Sequence, residues 1–182
     1  QLTSVYISND DVTPAAVNVV TNSLGSLTTN LGNSSIFKGA TASQEKMQNL
    51  YLASDMLAAG FGQGTITSFS YYFNTATPTA YDNFTINMAN SPATTLTLGG
   101  AFLTPVFTQV FNGTFTTPAT LGWSSIPMSS SFQWDGVSNI LVQICYENAA
   151  LNTDILLLGT APGGYTPSVF QRQTTGNGCT FT

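Results

Sequence analysis

Hydrophobic and polar positions alternate in short runs along most of this chain. Phe84, Ile86 and Met88 are separated by polar residues, which is typical of a strand with one buried face. Residues 140–146 are apolar at nearly every position, as expected of a central strand covered on both faces. Gly, Pro and Asn turns between such runs predict about ten short strands in an antiparallel arrangement. We place nine of them at 35–38, 48–52, 65–74, 84–88, 106–111, 123–126, 140–146, 155–158 and 168–173.

One stretch, residues 54–60, has the pattern of a short helix instead. Ser54 is suited to cap it, Asp55 is favourable in the first turn, and Gly60 can end it in a left-handed conformation. The predicted fold is therefore an all-β antiparallel β-sandwich with this one short helix. A jelly roll is the arrangement we expect for the sandwich.

The first part of the chain follows the strand pattern less clearly. We predict that residues 1–34 are a strand-containing N-terminal segment, either a linker or a strand exchanged with a neighbouring copy. Residues 35–182 then form the β-sandwich domain.

Charged residues are scarce, and this excludes several classes of function. The chain has three basic residues, eight acidic residues and no histidine, and its charged fraction is 6%, against roughly 25% in ordinary domains. Neutral polar residues replace them, with 28 Thr, 18 Ser and 15 Asn. Catalysis or metal binding by histidine is impossible, and nucleic acid is not an expected partner because phosphate binding needs clustered cations. No apolar run approaches the ~20 residues of a membrane span.

Cys145 and Cys179 are the two cysteines, and neither belongs to a closely spaced zinc-binding pair. In a chain rich in Thr and Asn and poor in Lys, they suggest an extracellular disulfide, with two buried free thiols as the alternative. A bridge here would pin the C-terminal segment to the core and contribute roughly 3–4 kcal/mol.

An ordered set of segments also carries a family resemblance. They are residues 48–60, 64–69, 81–88, 110–113 followed by Trp123, and 132–148 followed by Gly178 and Cys179. Together they resemble β-sandwich modules of secreted and cell-surface proteins of Bacteroidetes that the type IX secretion system exports. The segment from Trp134 to Asn139 is the most specific part.

This resemblance covers roughly residues 35–182 and implies an extracellular, adhesin-like module without catalytic residues. Residues 1–34 lie outside it. The sequence ends without a type IX sorting domain, so we expect the chain to be one module of a longer protein or a processed form.

Aromatic residues beside amides and carboxylates suggest a site for sugars. The candidates are Trp123, Trp134 and Tyr81 for ring stacking, with Asp82 and Asn83 for hydrogen bonds. The alternative is that both tryptophans fill the sandwich core, where large aromatic side chains usually lie.

Asp135 and Asn139 lie in a turn before the predicted central strand. They are candidate ligands of a structural calcium ion, or else side chains that bond their own backbone in the turn. Paired carboxylates would be needed for a glycoside hydrolase, and Glu147 with Asp82 or Asp135 is the pair to consider.

These observations favour a non-catalytic structural or adhesive module of a bacterial cell-surface protein or filament, secreted and extracellular. Its expected partners are neighbouring copies or domains of the same surface protein. The alternatives are a carbohydrate-binding module of a secreted multidomain protein, with a polysaccharide partner, and a glycoside hydrolase. We expect no cofactor, and a structural calcium ion at Asp135 and Asn139 is the alternative.

Overall fold

The computed structural model describes residues 2–3, 6–7, 9–10, 22–32, 35–126, 128–160 and 163–182. These residues form antiparallel β-sheets packed against each other, with one short α-helix, as predicted. The strands are β1 (Leu2–Thr3), β2 (Tyr6–Ile7), β3 (Asn9–Asp10), β4 (Asn22–Ser23), β5 (Thr29–Asn30), β6 (Gln44–Tyr51), β7 (Gly64–Ile66), β8 (Phe69–Phe73), β9 (Ala80–Ser91), β10 (Thr108–Thr116), β11 (Gly122–Ile126), β12 (Phe132–Trp134), β13 (Asn139–Glu147), β14 (Leu157–Thr160) and β15 (Ser168–Gln173).

The larger sheet has the strand order β10-β9-β13-β6-β15. Its middle strand is β13, which pairs with β6 through Ile144 and Met47 and with β9 through Ile144 and Ile86. Residues 140–146 of β13 are all buried, which confirms the prediction of a central strand covered on both faces.

The smaller sheet has the order β1-β14-β8-β11, and β5 also pairs with β14. Shorter ladders join β12, β7 and β3, and join β2 and β4. From β6 onward, the main strands alternate between the two large sheets, with β9 and β10 forming a pair within one sheet. Repeated crossing between two facing antiparallel sheets is the feature that this sandwich shares with jelly rolls.

Aromatic rings fill the space between the two sheets. Phe37 lies at their centre, fully buried, with its ring centroid 5.0 Å from that of Tyr81, 5.7 Å from that of Phe73 and 5.8 Å from that of Phe84. Edge-to-face, tilted and stacked ring contacts of this kind add stability beyond the burial of area. The rings come from both sheets, so this cluster holds the sandwich together.

A second apolar cluster covers the outer face of the larger sheet. Every residue of β6 is buried, because its alternate side chains enter two different cores. The second cluster comprises Leu50, Leu96, Phe102, Leu141, Val169 and Phe181. The segment that supplies Phe102 is fixed by Gln48, whose Nε2 donates to the Leu103 carbonyl oxygen at 2.6 Å while its Oε1 accepts the Leu103 N–H at 2.9 Å.

The predicted helix is α1 (Ala53–Ala58), and it begins one residue before the predicted start. Leu52, rather than Ser54, occupies the N-cap position and makes no side-chain cap. Instead, the Ala53 N–H donates to Asn139 Oδ1 at 2.7 Å. Gly60 follows the helix with a φ of 87°, as expected for a left-handed end. Within the described ranges, no helix is long and apolar enough to cross a membrane.

Part of the predicted N-terminal segment packs into the sandwich. Leu24 and Leu31 are buried in the core between the sheets, and the Leu31 N–H donates to the Leu157 carbonyl oxygen at 2.9 Å. Packing therefore continues across the predicted boundary at residue 34. Residues 11–21 and 33–34 lie outside the described residues.

Candidate functional site

A row of exposed and half-buried side chains crosses the outer face of the smaller sheet. The strand registers place Trp123 of β11 opposite Tyr72 of β8, Tyr72 opposite Leu158 of β14, and Leu158 opposite Asn30 of β5. We call these four residues the Trp123 row. Tyr71 and Phe73, on either side of Tyr72, are buried in the core, so the alternation along β8 turns Tyr72 outward.

Trp123 is the most accessible ring in this row. Its side chain is 40% exposed, and its ring meets that of Tyr72 edge to face, with centroids 5.7 Å apart. Edge-to-face contact fixes the indole plane while leaving part of its surface open to solvent. The row therefore presents a positioned aromatic surface.

The surroundings of the row are neutral and able to form hydrogen bonds. Strands β8, β11 and β14 contain no charged residue. Asn30 supplies an exposed amide at one end of the row, and Ser125 supplies an exposed hydroxyl two residues from Trp123, 3.1 Å from the hydroxyl of Ser70. An aromatic face beside neutral donors and acceptors suits an uncharged ligand that has both C–H faces and hydroxyl groups.

The other two predicted stacking residues are buried, which corrects that part of the prediction. Trp134 is 3% exposed, and its Nε1–H donates to the Ser138 carbonyl oxygen at 2.8 Å. Tyr81 is 0% exposed, and its hydroxyl donates to the Thr153 carbonyl oxygen at 3.0 Å. Both rings belong to the core between the sheets, so neither has a face free for a sugar.

Asp82 and Asn83 are exposed, but they lie on β9 of the larger sheet and Trp123 lies on the smaller one. Asp82 Oδ1 accepts the Thr114 hydroxyl at 3.0 Å. Asn83 has a positive φ of 48°, and its Nδ2 lies 3.5 Å from Glu147 Oε2. The structure thus places the predicted hydrogen-bonding residues and the exposed tryptophan on different sheets.

The disulfide between Cys145 and Cys179 is present, as predicted, with a Cα–Cα distance of 5.1 Å. It joins β13 to a 3-10 helix at Gly178–Thr180. Glu147 Oε1 accepts the Cys179 N–H at 3.2 Å, and Lys46 Nζ donates to the Phe181 carbonyl oxygen at 2.6 Å. These contacts hold the C-terminal segment against the larger sheet.

The two candidate calcium ligands have structural partners. Asp135 Oδ1 accepts the N–H groups of Val137 at 2.9 Å and Ser138 at 2.7 Å, which is the alternative of a side chain bonded to its own turn. Desolvation opposes ionisation, but the hydrogen bonds from Ser138 and Val137 hold the pKa of Asp135 below its ordinary value. Asn139 Oδ1 caps α1, and its Nδ2 donates to the Ala93 carbonyl oxygen at 2.8 Å. Among the described residues, no three His, Cys, Asp or Glu side chains are grouped to hold a metal ion.

The sequence did not predict a buried ion pair that joins β6 to β15. Glu45 is fully buried, and its Oε1 lies 2.7 Å from Arg172 Nη2, while the Tyr146 hydroxyl lies 3.3 Å from Oε2. Burial raises the pKa of Glu45 to about 8, against the opposing effect of Arg172. Because residues 44–46 are polar, the sequence predicted that this strand begins only at residue 48. In the structure, residues 44–46 belong to the ladder between β6 and β15.

A surface pocket of about 440 Å³ lies at the margin of the second apolar cluster. Gly100, Phe102, Val169, Phe170 and Thr182 contribute to its lining. None of the sugar-binding or calcium-binding candidates from the sequence lines it.

Comparison with known proteins found no family model that matches the chain, and no curated protein or solved structure similar to it.

Proposed function

We propose that this chain is a non-catalytic, extracellular structural or adhesive module of a bacterial cell-surface protein or filament. The observation that carries the proposal is the Trp123 row, an aromatic surface without charge on the outer face of the smaller sheet. Contact between two copies of such a face involves little local charge repulsion, because the surrounding strands contribute no charged side chain.

The disulfide supports an extracellular location. Such bridges persist in oxidising compartments and are rare in the reducing cytosol. Cys145 is buried within β13, so the bridge anchors the end of the chain directly to the middle of the larger sheet.

An open edge of the larger sheet supports assembly with neighbouring copies. Strand β10 is nine residues long, lies at the end of the sheet and contains no charged residue. The Val110 carbonyl oxygen of β10 already accepts the N–H groups of Ser129 at 2.7 Å and Ser130 at 3.2 Å. Unpaired backbone groups on the rest of such an edge can accept a strand from another chain. Two register shifts in its pairing with β9 restrict how much of the edge a new strand can follow.

Self-association can be tested by placing lysines on this edge. Gln109→Lys and Thr116→Lys change exposed residues of β10, and the double variant should remove concentration-dependent oligomers in light scattering after size-exclusion chromatography. Thr94→Lys with Thr175→Lys, at exposed positions away from this strand, is the charge-matched control and should assemble like the wild type. Equal assembly by both double variants, or a wild type that stays monomeric at all concentrations, would contradict the role of β10.

A carbohydrate-binding function is the second candidate, and the geometry of the Trp123 row favours it. Trp123→Ala should lower retention on an insoluble neutral polysaccharide such as cellulose, chitin or xylan by about tenfold, which corresponds to roughly 1.4 kcal/mol. Phe170→Ala is the matched control, since Phe170 is a similarly exposed ring (42%) on the larger sheet. Absence of retention of the wild type on all three polysaccharides would argue for the structural role alone.

A further inference from the structure

We propose that Lys38 and Asp154 form an intramolecular isopeptide bond, a covalent cross-link in addition to the disulfide. The two residues face each other as an antiparallel bridge between neighbouring backbone segments. The Ile155 N–H donates to the Phe37 carbonyl oxygen at 2.8 Å, and the Asn152 N–H donates to the Gly39 carbonyl oxygen at 2.8 Å. The backbone thus holds Lys38 opposite Asp154.

The reacting groups are in direct contact. Lys38 Nζ forms an ion pair and a hydrogen bond with Asp154 Oδ2. A nucleophile held against its electrophile does not have to be brought together with it by diffusion, and this removes a large part of the barrier to a condensation reaction.

The other carboxyl oxygen of Asp154 is bound by the backbone. The Ala40 N–H donates to Asp154 Oδ1 at 2.8 Å. A fixed donor at this oxygen withdraws electron density from Cγ and stabilises the negative charge that develops on Oδ1 when an amine attacks. Oδ2 lies on the side of Lys38 and is the oxygen that leaves Cγ in the reaction.

Solvent is partly excluded from the pair. The Lys38 side chain is 9% exposed and that of Asp154 is 27% exposed. Condensation requires that Nζ pass a proton to Oδ2, because a neutral amine and a carboxylic acid are the reacting forms. The direct hydrogen bond between the two atoms supplies the path for that proton.

The balanced reaction converts the ammonium and carboxylate into an amide and one water molecule. The Nζ–Cγ bond forms and the Cγ–Oδ2 bond breaks. Nζ loses two protons, both of which leave with Oδ2 as water. No oxidant, reductant or other reactant is consumed.

The mass of the intact protein tests the proposal. Under denaturing and reducing conditions, the cross-linked wild type should weigh less than its sequence by one water molecule. Cyclisation of Gln1, where it occurs, releases ammonia instead, and accurate mass measurement separates the two losses. A wild type of full sequence mass after correction for Gln1 would overturn the proposal.

Trypsin supplies an independent readout, because the chain has only three cleavage sites, Lys38, Lys46 and Arg172. An amide on Lys38 blocks cleavage there, so the reduced, cross-linked protein should yield residues 1–46 joined to 47–172. Without the bond, peptides 1–38 and 39–46 should appear separately, and their appearance as the main products would also overturn the proposal.

Two variants connect the mass loss to this pair. Lys38→Arg keeps a cation for the ion pair but lacks the reactive amine, so it should retain the water and the full mass. Lys46→Arg is the matched control, since Lys46 is also buried but lies on β6 and bonds a backbone carbonyl; it should still lose water. Loss of water by Lys38→Arg would contradict the assignment, and the wild-type mass decides the question if either variant fails to fold.

Discussion

The outer faces of the two sheets differ in what covers them. On the larger sheet, Phe102 and Phe181 come from segments outside the ladder and pack over Leu50 and Leu141. On the smaller sheet, Trp123 and its row remain partly accessible. The difference shows that similar strands serve either as a scaffold or as a surface, depending on which other segments lie over them.

The largest loss of stability should come from a cavity in the second apolar cluster, which covers the outer face of the larger sheet. Leu50→Ala removes a fully buried side chain from the second apolar cluster and should lower the free energy of unfolding by about 2–5 kcal/mol. Urea denaturation measures the change. A loss below about 1 kcal/mol would indicate that the second apolar cluster packs only weakly on the larger sheet.

Removing the disulfide should loosen the C-terminal part of the second apolar cluster. The double variant Cys145→Ala, Cys179→Ala should lose roughly 3–4 kcal/mol of stability, and amide exchange near Val169 and Phe181 should accelerate more than exchange in β8 and β11. Equal acceleration in both sheets would contradict the view that the bridge mainly secures the covered face.

Glu45, which is buried on β6, should make the free energy of unfolding depend on pH. Burial raises the pKa of Glu45 to about 8 from its ordinary value of 4.5, so between these two pH values the folded protein retains a proton that the unfolded chain releases. The contribution of Glu45 to stability should therefore be fully present below about pH 4.5 and be lost, by a few kcal/mol, as the pH rises through 8.

The charged and titratable groups that influence Glu45 are Arg172, Tyr146 and Tyr81, so Glu45→Gln is the variant that isolates its own titration. Denaturation midpoints of Glu45→Gln should change less between pH 5 and pH 8 than those of the wild type. Wild-type stability that is flat or rises over this range would show that the ion pair with Arg172 outweighs the cost of burial.

The smallest effect on stability should come from the open face. Trp123→Phe should change the free energy of unfolding by less than about 0.5 kcal/mol, as exposed substitutions usually do. Acrylamide should quench Trp123 in the Trp134→Phe variant more strongly than it quenches Trp134 in Trp123→Phe. Similar quenching of both would contradict the difference in exposure between the two tryptophans.

Local patterns predicted much of the fold, and the error at the start of β6 arises where polar residues are buried. Strand β6 begins at Gln44, before the predicted start at 48, because Glu45 is accommodated by Arg172 from β15. The strand predicted at 106–111 instead spans Thr108–Thr116. The pattern of neighbouring residues carries no information about which distant residues will pack together.

The candidate site was predictable only in part. Tyr72 lies between two apolar aromatic residues, so alternation requires that the middle ring point away from its neighbours. Trp123 and Trp134 each follow a similar alternating pattern, and only strand pairing places one outside and the other in the core.

The sequence by itself determined the all-β class, the short helix and the central strand, because these follow from local periodicity and turn residues. For the two cysteines it favoured a disulfide over two free thiols, and the structure decided between them. The tertiary structure alone decided which aromatic ring faces solvent, which sheet face is covered, and that Lys38 meets Asp154. Those features depend on contacts between distant segments, where burial and hydrogen bonding compete across the whole chain rather than within a single strand.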